Sequence, residues 1–170
     1  GNYVLEVTDG SGCTITDSLE VTEPAPIAFT LDTTDANCYN AADGSAEVTV
    51  TGGGTAPFGY DWSDGTSGAL NNSLAAGTYS VTVSDDQGCT VADTFSIAEP
   101  DSFGIIVNTV DASCYNTADG QASASVLGDT VNYTFNWQTT PPQTGATATN
   151  VPQGPVTVEV TDTNGCTINS

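Results

Sequence analysis

Residues 77–90 read Gly-Thr-Tyr-Ser-Val-Thr-Val-Ser-Asp-Asp-Gln-Gly-Cys-Thr. Tyr79, Val81 and Val83 alternate with Ser80, Thr82 and Ser84, so an extended chain turns one apolar face inward and one hydroxyl face to water. Gln87-Gly88 is a turn signal, and Cys89-Thr90 opens the next extended run. The stretch therefore predicts a hairpin on a half-buried sheet. It occurs three times. Residues 154–167 read Gly-Pro-Val-Thr-Val-Glu-Val-Thr-Asp-Thr-Asn-Gly-Cys-Thr, and residues 1–14 read Gly-Asn-Tyr-Val-Leu-Glu-Val-Thr-Asp-Gly-Ser-Gly-Cys-Thr.

Outward from this stretch the repetition covers the chain. Glu23-Pro24 to Gly52 aligns with Glu99-Pro100 to Gly128 at an offset of 76, with Asp35/Asp111, Cys38/Cys114, Tyr39/Tyr115, Asn40/Asn116, Asp43/Asp119 and Gly44/Gly120 shared. Trp62 matches Trp137 after a one-residue deletion. Further period-two runs are Ile27-Phe29-Leu31, Ala46-Val48-Val50, Phe58-Tyr60-Trp62, Phe95-Ile97 and Phe103-Ile105-Val107. The division predicted is 1–24, the last strands of one repeat; 25–100, a complete β-sandwich; and 101–170, a second sandwich lacking most of its last strand. Residues 143–153 read as an insertion in the last copy. The Glu-Pro pairs fall at the joints, where proline ends a ladder and stiffens the connection. Short strands between Gly and Asp turns indicate an all-β fold of immunoglobulin-like sandwiches.

Composition limits the chemistry. The 170 residues carry 21 Asp and Glu and no Lys, Arg or His, a net charge of −21. Side-chain salt bridges cannot form, and no basic patch can hold nucleic acid phosphates or anionic lipid. Ser and Thr are present, but no His or Lys can activate them. The cysteines lack Cys-x-x-Cys spacing, which argues against zinc. Apolar runs fall short of the ~20 residues of a membrane span. The sequence has no start Met, signal peptide or anchor and is read as an internal piece of something longer.

The pattern Cys38-x5-Gly44, then Phe58-Gly-Tyr-Asp-Trp62, then Ala76-Gly-Thr-Tyr-Ser-Val-Thr-Val83, then Asp85-x2-Gly-Cys-Thr90 resembles the SprB-type repeat. That repeat occurs in tandem in very large surface proteins of gliding bacteria of the Bacteroidota type and is similar to PKD and other immunoglobulin-like modules. The third copy departs from it where Val156 replaces the tyrosine. The resemblance implies sandwiches in an extracellular array stacked end to end, used in adhesion or motility, with no enzymatic activity. Its partners would be neighbouring repeats, other copies in a filament, and surface glycans. A rival reading is a binding module whose loops recognise a carbohydrate or a protein.

Several residues are candidates for more than packing. Asp9, Glu23, Asp85, Asp86, Glu99 and Asp162 fall at hairpins and joints, where carboxylates could gather calcium; the plainer reading is that Asp starts turns and gives solubility. No other cofactor is indicated. Ser18, Thr33 and Thr130 sit in Asp-Ser/Thr-apolar triplets that resemble O-glycan acceptors, and Asn71 and Asn132 head N-glycosylation triplets. Trp62, Trp137, Tyr60, Phe135 and Tyr79 read as core.

The five cysteines are of two kinds. Cys38 and Cys114 end a first strand; Cys13, Cys89 and Cys166 sit in the hairpin before the last strand. In immunoglobulin topology these two places lie at opposite ends of a sandwich. Cys38–Cys89 or Cys114–Cys166 would then span a strand of about eight residues, roughly 26 Å, whereas a disulfide tolerates about 7 Å between Cα atoms. The pairing favoured is an inter-repeat staple, Cys38–Cys166, with Cys13, Cys89 and Cys114 bonded to repeats outside the sequence. The intradomain pairs Cys38–Cys89 and Cys114–Cys166 stay open if the first strand is misread.

Overall fold

The computed structural model describes residues 1–128 and 132–170. It is all-β, with no helix among the described residues. The strands are β1 (Asn2–Thr8), β2 (Thr14–Glu20), β3 (Ala28–Thr34), β4 (Gly44–Gly52), β5 (Gly59–Trp62), β6 (Leu70–Leu74), β7 (Gly77–Ser84), β8 (Thr90–Ile97), β9 (Gly104–Val110), β10 (Gly120–Leu127), β11 (Thr134–Trp137), β12 (Gln143–Thr144), β13 (Thr147–Val151), β14 (Val158–Thr161) and β15 (Thr167–Asn169). The sheet orders are β1-β2, β3-β4-β6, β5-β7-β8, β9-β10-β13 and β12-β11-β14-β15. Several antiparallel sheets of short strands are what a β-sandwich repeat protein is built from.

By contact the chain divides into two compact units, Gly1–Leu31, Val48–Ala69 and Ser80–Asp93 in one, and Asp32–Glu47, Leu70–Tyr79 and Thr94–Ser170 in the other. In the first, β1 and β2 form a regular hairpin from Asn2↔Glu20 to Thr8↔Thr14. Every residue of both strands is exposed. In the same unit β5 pairs with β7 through Tyr60↔Val83 and Trp62↔Val81. Val81, Val83 and Trp62 are buried, and Tyr60 is half-buried. A buried indole must place its N–H, and Trp62 Nε1 donates to Gly68 O at 2.8 Å.

The second unit contains the whole of 101–170. Its core is Ala122, Ala124, Trp137, Ala148, Val151, Val158 and Val160. Val158 and Val160 are fully buried, worth about 2 kcal/mol each by apolar transfer. Trp137 Nε1 donates to Gly145 O at 2.9 Å, repeating the bond made by Trp62. Phe135 is half-buried, and Tyr79 stacks on Phe95 with ring centroids 5.7 Å apart.

The segment read as an insertion is itself part of the sheets. Residues 143–153, read as an insertion, form β12 and β13, and β13 borders β10 as β6 borders β4. The alternation is broken there by irregular register: Ser73 (φ 63°) and Asn150 (φ 54°) take left-handed backbone, so the buried residues lie three apart, Asn71 and Leu74, Ala148 and Val151.

Candidate functional site: the cysteine joint

The loop after β3 is held by its own carboxylates. Asp35 Oδ1 accepts the Ala98 N–H at 2.8 Å, and Ala36 N–H donates to Ala98 O at 2.9 Å. Asp43 Oδ1 accepts the Asn37 N–H at 2.9 Å. Cys38 to Ala41 then make a tight turn closed by Ala41 N–H to Cys38 O at 3.0 Å, with Asn40 at φ 56°. Asparagine tolerates that left-handed conformation better than most side chains. Gly44 follows because nothing larger fits: a Cβ there would lie 2.7 Å from Ile97 Cγ2 and 2.9 Å from Leu74 O.

The facing element is the hairpin between β14 and β15. Asp162 Oδ1 accepts the N–H groups of Asn164 and Cys166, both at 2.8 Å. Asp162 N–H donates back to Cys166 O at 3.0 Å. This Asp turn fixes the direction of the cysteine, and Gly165 at φ 86° supplies the conformation it needs.

Loop and hairpin meet in the second unit. Cys38 and Cys166 form a disulfide with Cα atoms 5.7 Å apart at a sequence separation of 128. Two further contacts flank it. Asn37 Nδ2 donates to Asn164 O at 2.9 Å, and Asn40 N–H donates to Glu99 Oε2 at 2.6 Å. A cavity of about 400 Å³ lies beside the bridge, bordered by Tyr39, Pro100, Phe103 and Ile168. The intradomain pairs Cys38–Cys89 and Cys114–Cys166 are not formed; Cys13, Cys89 and Cys114 are free and exposed.

The unbridged copies keep the same local architecture. Asp9 accepts the N–H groups of Ser11 and Cys13 at 2.8 and 2.9 Å, and Asp85 those of Gln87 and Cys89 at 3.0 and 2.8 Å. The Asp9 carboxyl is held below its ordinary range by the Cys13 and Ser11 N–H groups. At Asp85 burial pushes the carboxyl up, but the N–H groups of Cys89, Thr55 and Gln87 outweigh it and the net shift is downward. In the loop 111–120, Thr117 N–H donates to Cys114 O at 3.2 Å, Asn116 sits at φ 60°, and Ser113 N–H donates to Asp119 Oδ1 at 2.9 Å. The hydroxyls of Ser113 and Thr117 also donate to Asp119. These bonds, the Ser113 hydroxyl foremost, lower its pKa to about 2.

The remaining candidates separate. Asp9, Glu23, Asp85, Asp86, Glu99 and Asp162 do not assemble a cation site: among the described residues no three His, Cys, Asp or Glu side chains gather to hold a metal. Asp9, Asp85 and Asp162 spend oxygens on backbone N–H groups of their own turns, and Glu99 on Asn40. Asp86 Oδ2 accepts from Gln87 Nε2 at 3.3 Å, and Glu23 borders a small exposed cleft with Gly1 and Glu20. Ser18 and Thr33 are exposed on β2 and β3; Thr130 lies outside the described residues. Asn71 is buried. Sequence reasoning did not give functions to Asn37, Asn164 or the Asp43/Asp119 pair. The shared Asp43/Asp119 column was a usable signal, because Asp before Gly in a loop marks a side chain that caps its own backbone.

Comparison with known proteins agrees with the repeat pattern. The SprB repeat family model matches residues 30–67 and 106–141. Each matched segment runs from the first strand through the Cys-x5-Gly loop to just beyond the tryptophan; the hairpin motif of 77–90 lies outside both. Among curated proteins none matches the chain. The SprB repeat is a structural repeat of cell-surface proteins, not an enzyme family, and this chain carries its pattern twice, at 30–67 and 106–141.

Proposed function

We propose that this chain is a load-bearing segment of an extracellular stalk, in which successive sandwiches, 25–100 and 101–170, are joined twice: once by the Glu99-Pro100 connection and once by a disulfide. The observation that carries this reading is the Cys38–Cys166 bridge. It ties the loop of one repeat to the hairpin of the next. A disulfide is durable in an oxidising compartment, which fits a location outside the cell. With −21 and no cations, the surface repels other acidic chains and stays soluble. A stalk also fits the absence of His and Lys, the residues that most often activate a hydroxyl nucleophile.

The mechanical consequence is specific. A load applied at the two ends passes from β3 through Cys38 and Cys166 into β15, and the intervening residues are shielded from it. The shielded length is 128 residues, roughly 420–460 Å of extended chain at about 3.3–3.6 Å per residue. Single-molecule pulling tests this. The oxidised chain should extend by that much less than the reduced chain or the Cys38→Ser/Cys166→Ser variant. Equal contour lengths with and without reductant would refute the load path.

A further inference from the structure

We propose that 101–170 carries a strand-acceptor site: the cavity at Gly120 binds a separate, extended apolar peptide, which seats a branched side chain over that glycine while Asp111 and Ala112 grip the backbone of its next residue. The proposal goes beyond the stalk reading and does not rest on it.

The chemistry of the ligand is read from the matching place in the other repeat, where residues 95–98 of β8 and its continuation fill the slot. Asp35 Oδ1 accepts the Ala98 N–H at 2.8 Å, and the Ala36 N–H donates to Ala98 O at 2.9 Å. One residue of an extended segment is thus held by both of its backbone groups. Ile97 beside it is 3% exposed, and its Cγ2 lies only 2.7 Å from where a Cβ on Gly44 would stand. The side chain is seated on bare glycine backbone. Two residues earlier, Phe95 stacks on Tyr79. Phe-x-Ile is the alternation of a strand with one face in the core.

The same receptor is built in 101–170. A Cβ on Gly120 would stand 2.8 Å from Val151 O and 3.2 Å from Val110 O; one on Gly44 would stand 2.9 Å from Leu74 O and 3.1 Å from Thr34 O. Only the third neighbour differs, Ile97 at Gly44 and the Ala112 backbone nitrogen at Gly120. Asp111 and Ala112 stand where Asp35 and Ala36 do. Among the described residues neither the Asp111 carboxylate nor the Ala112 N–H makes a hydrogen bond. Both border a cavity of about 600 Å³, together with Val110, Gly120, Val151 and Val156. An acceptor, a donor and an apolar seat one residue apart are what strand addition uses: main-chain bonds give affinity, and pockets for alternate side chains give specificity. Charge narrows the class. A chain of −21 with no cation disfavours acidic peptides, so the ligand is a neutral strand with a branched apolar residue at the position of Ile97.

The probe is the peptide Thr-Phe-Ser-Ile-Ala, the sequence of residues 94–98, labelled at its N-terminus and amidated so that it carries no terminal charge. Added to the whole chain, it should give fluorescence anisotropy that saturates at one peptide per chain, and amide exchange should slow at Ala112. The same peptide with Ile97→Asp should not bind, because its carboxylate would be buried without a partner. Asp111→Ala in the chain should weaken binding about tenfold, the effect of losing one hydrogen bond to a charged acceptor. Cys114→Ser should leave binding unchanged. No saturable binding, equal binding of the Ile97→Asp peptide, full affinity in Asp111→Ala, or exchange unaltered at Ala112 would overturn the proposal. None of these results alters the contour length set by Cys38–Cys166, so the stalk reading stands or falls separately.

Discussion

The loops 35–44 and 111–120 share a backbone and differ in engagement. The first is bridged through Cys38, its Asn40 N–H is bonded to Glu99, and its Asn37 amide reaches Asn164. The second turns its polar groups inward. Ser113 and Thr117, standing where the first loop has Asn37 and Ala41, both donate to Asp119. The difference teaches that the turn is not induced by the bridge. Asp cap, left-handed asparagine and buried glycine build it from local residues, and the bridge is added to a loop already in shape. Preorganisation of this kind lowers the entropy lost when the joint closes.

The largest test of the comparison removes the bridge. The Cys38→Ser/Cys166→Ser variant should lose up to about 5 kcal/mol, the chain-entropy value for closing a loop of more than 100 residues. Cys114→Ser should cost nothing measurable. Urea unfolding without reductant reads both, and equal midpoints for the two variants would remove the distinction between the loops.

Next in size is the glycine that ends each loop. A Cβ at Gly120 would lie 2.8 Å from Val151 O and 3.2 Å from Val110 O, much as one at Gly44 meets Ile97 and Leu74. Gly44→Ala and Gly120→Ala should each destabilise by about 1–3 kcal/mol, the usual cost of overpacking. Similar losses at the two sites would support a shared, locally built loop. A loss at Gly44 alone would make the turn depend on the bridge.

The smallest effect is electrostatic. Asp119 has its pKa lowered from 3.8 to about 2. A depressed carboxyl stabilises the fold fully above its unfolded value, and the contribution fades as pH falls from there towards about 2. A carboxyl-detected NMR titration should find Asp119 still ionised at pH 3, and Ser113→Ala should move its midpoint upward. An unshifted midpoint in the variant would take the Ser113 hydroxyl out of the account.

Much of this was legible in the residues. Alternation in β4, β7 and β10 follows the sequence because one face of each strand is dry, and Asp-x-x-Gly-Cys encodes a hairpin that caps itself. β6 and β13 were not legible. Leu70-Asn-Asn-Ser-Leu74 buries Asn71 and Leu74 across a left-handed Ser73, and a period of three reads as neither helix nor strand. Of the carboxylates considered for calcium, Asp9, Asp85 and Asp162 follow the plainer reading and cap their own turns, while Glu99 accepts from Asn40 in a distant loop.

The sequence by itself determined the repeat, the strands with clean alternation, the Trp cores and the two cysteine-bearing turns, since each depends on neighbours within a few residues. The sequence favoured Cys38–Cys166 but left the intradomain pairs open, and the tertiary structure decided between them: Cys38 bonds a residue 128 positions away because folding places the loop of one repeat against the hairpin of the next. Disulfide formation reads distance between Cα atoms, and that distance is set by how sheets and turns pack, not by spacing along the chain.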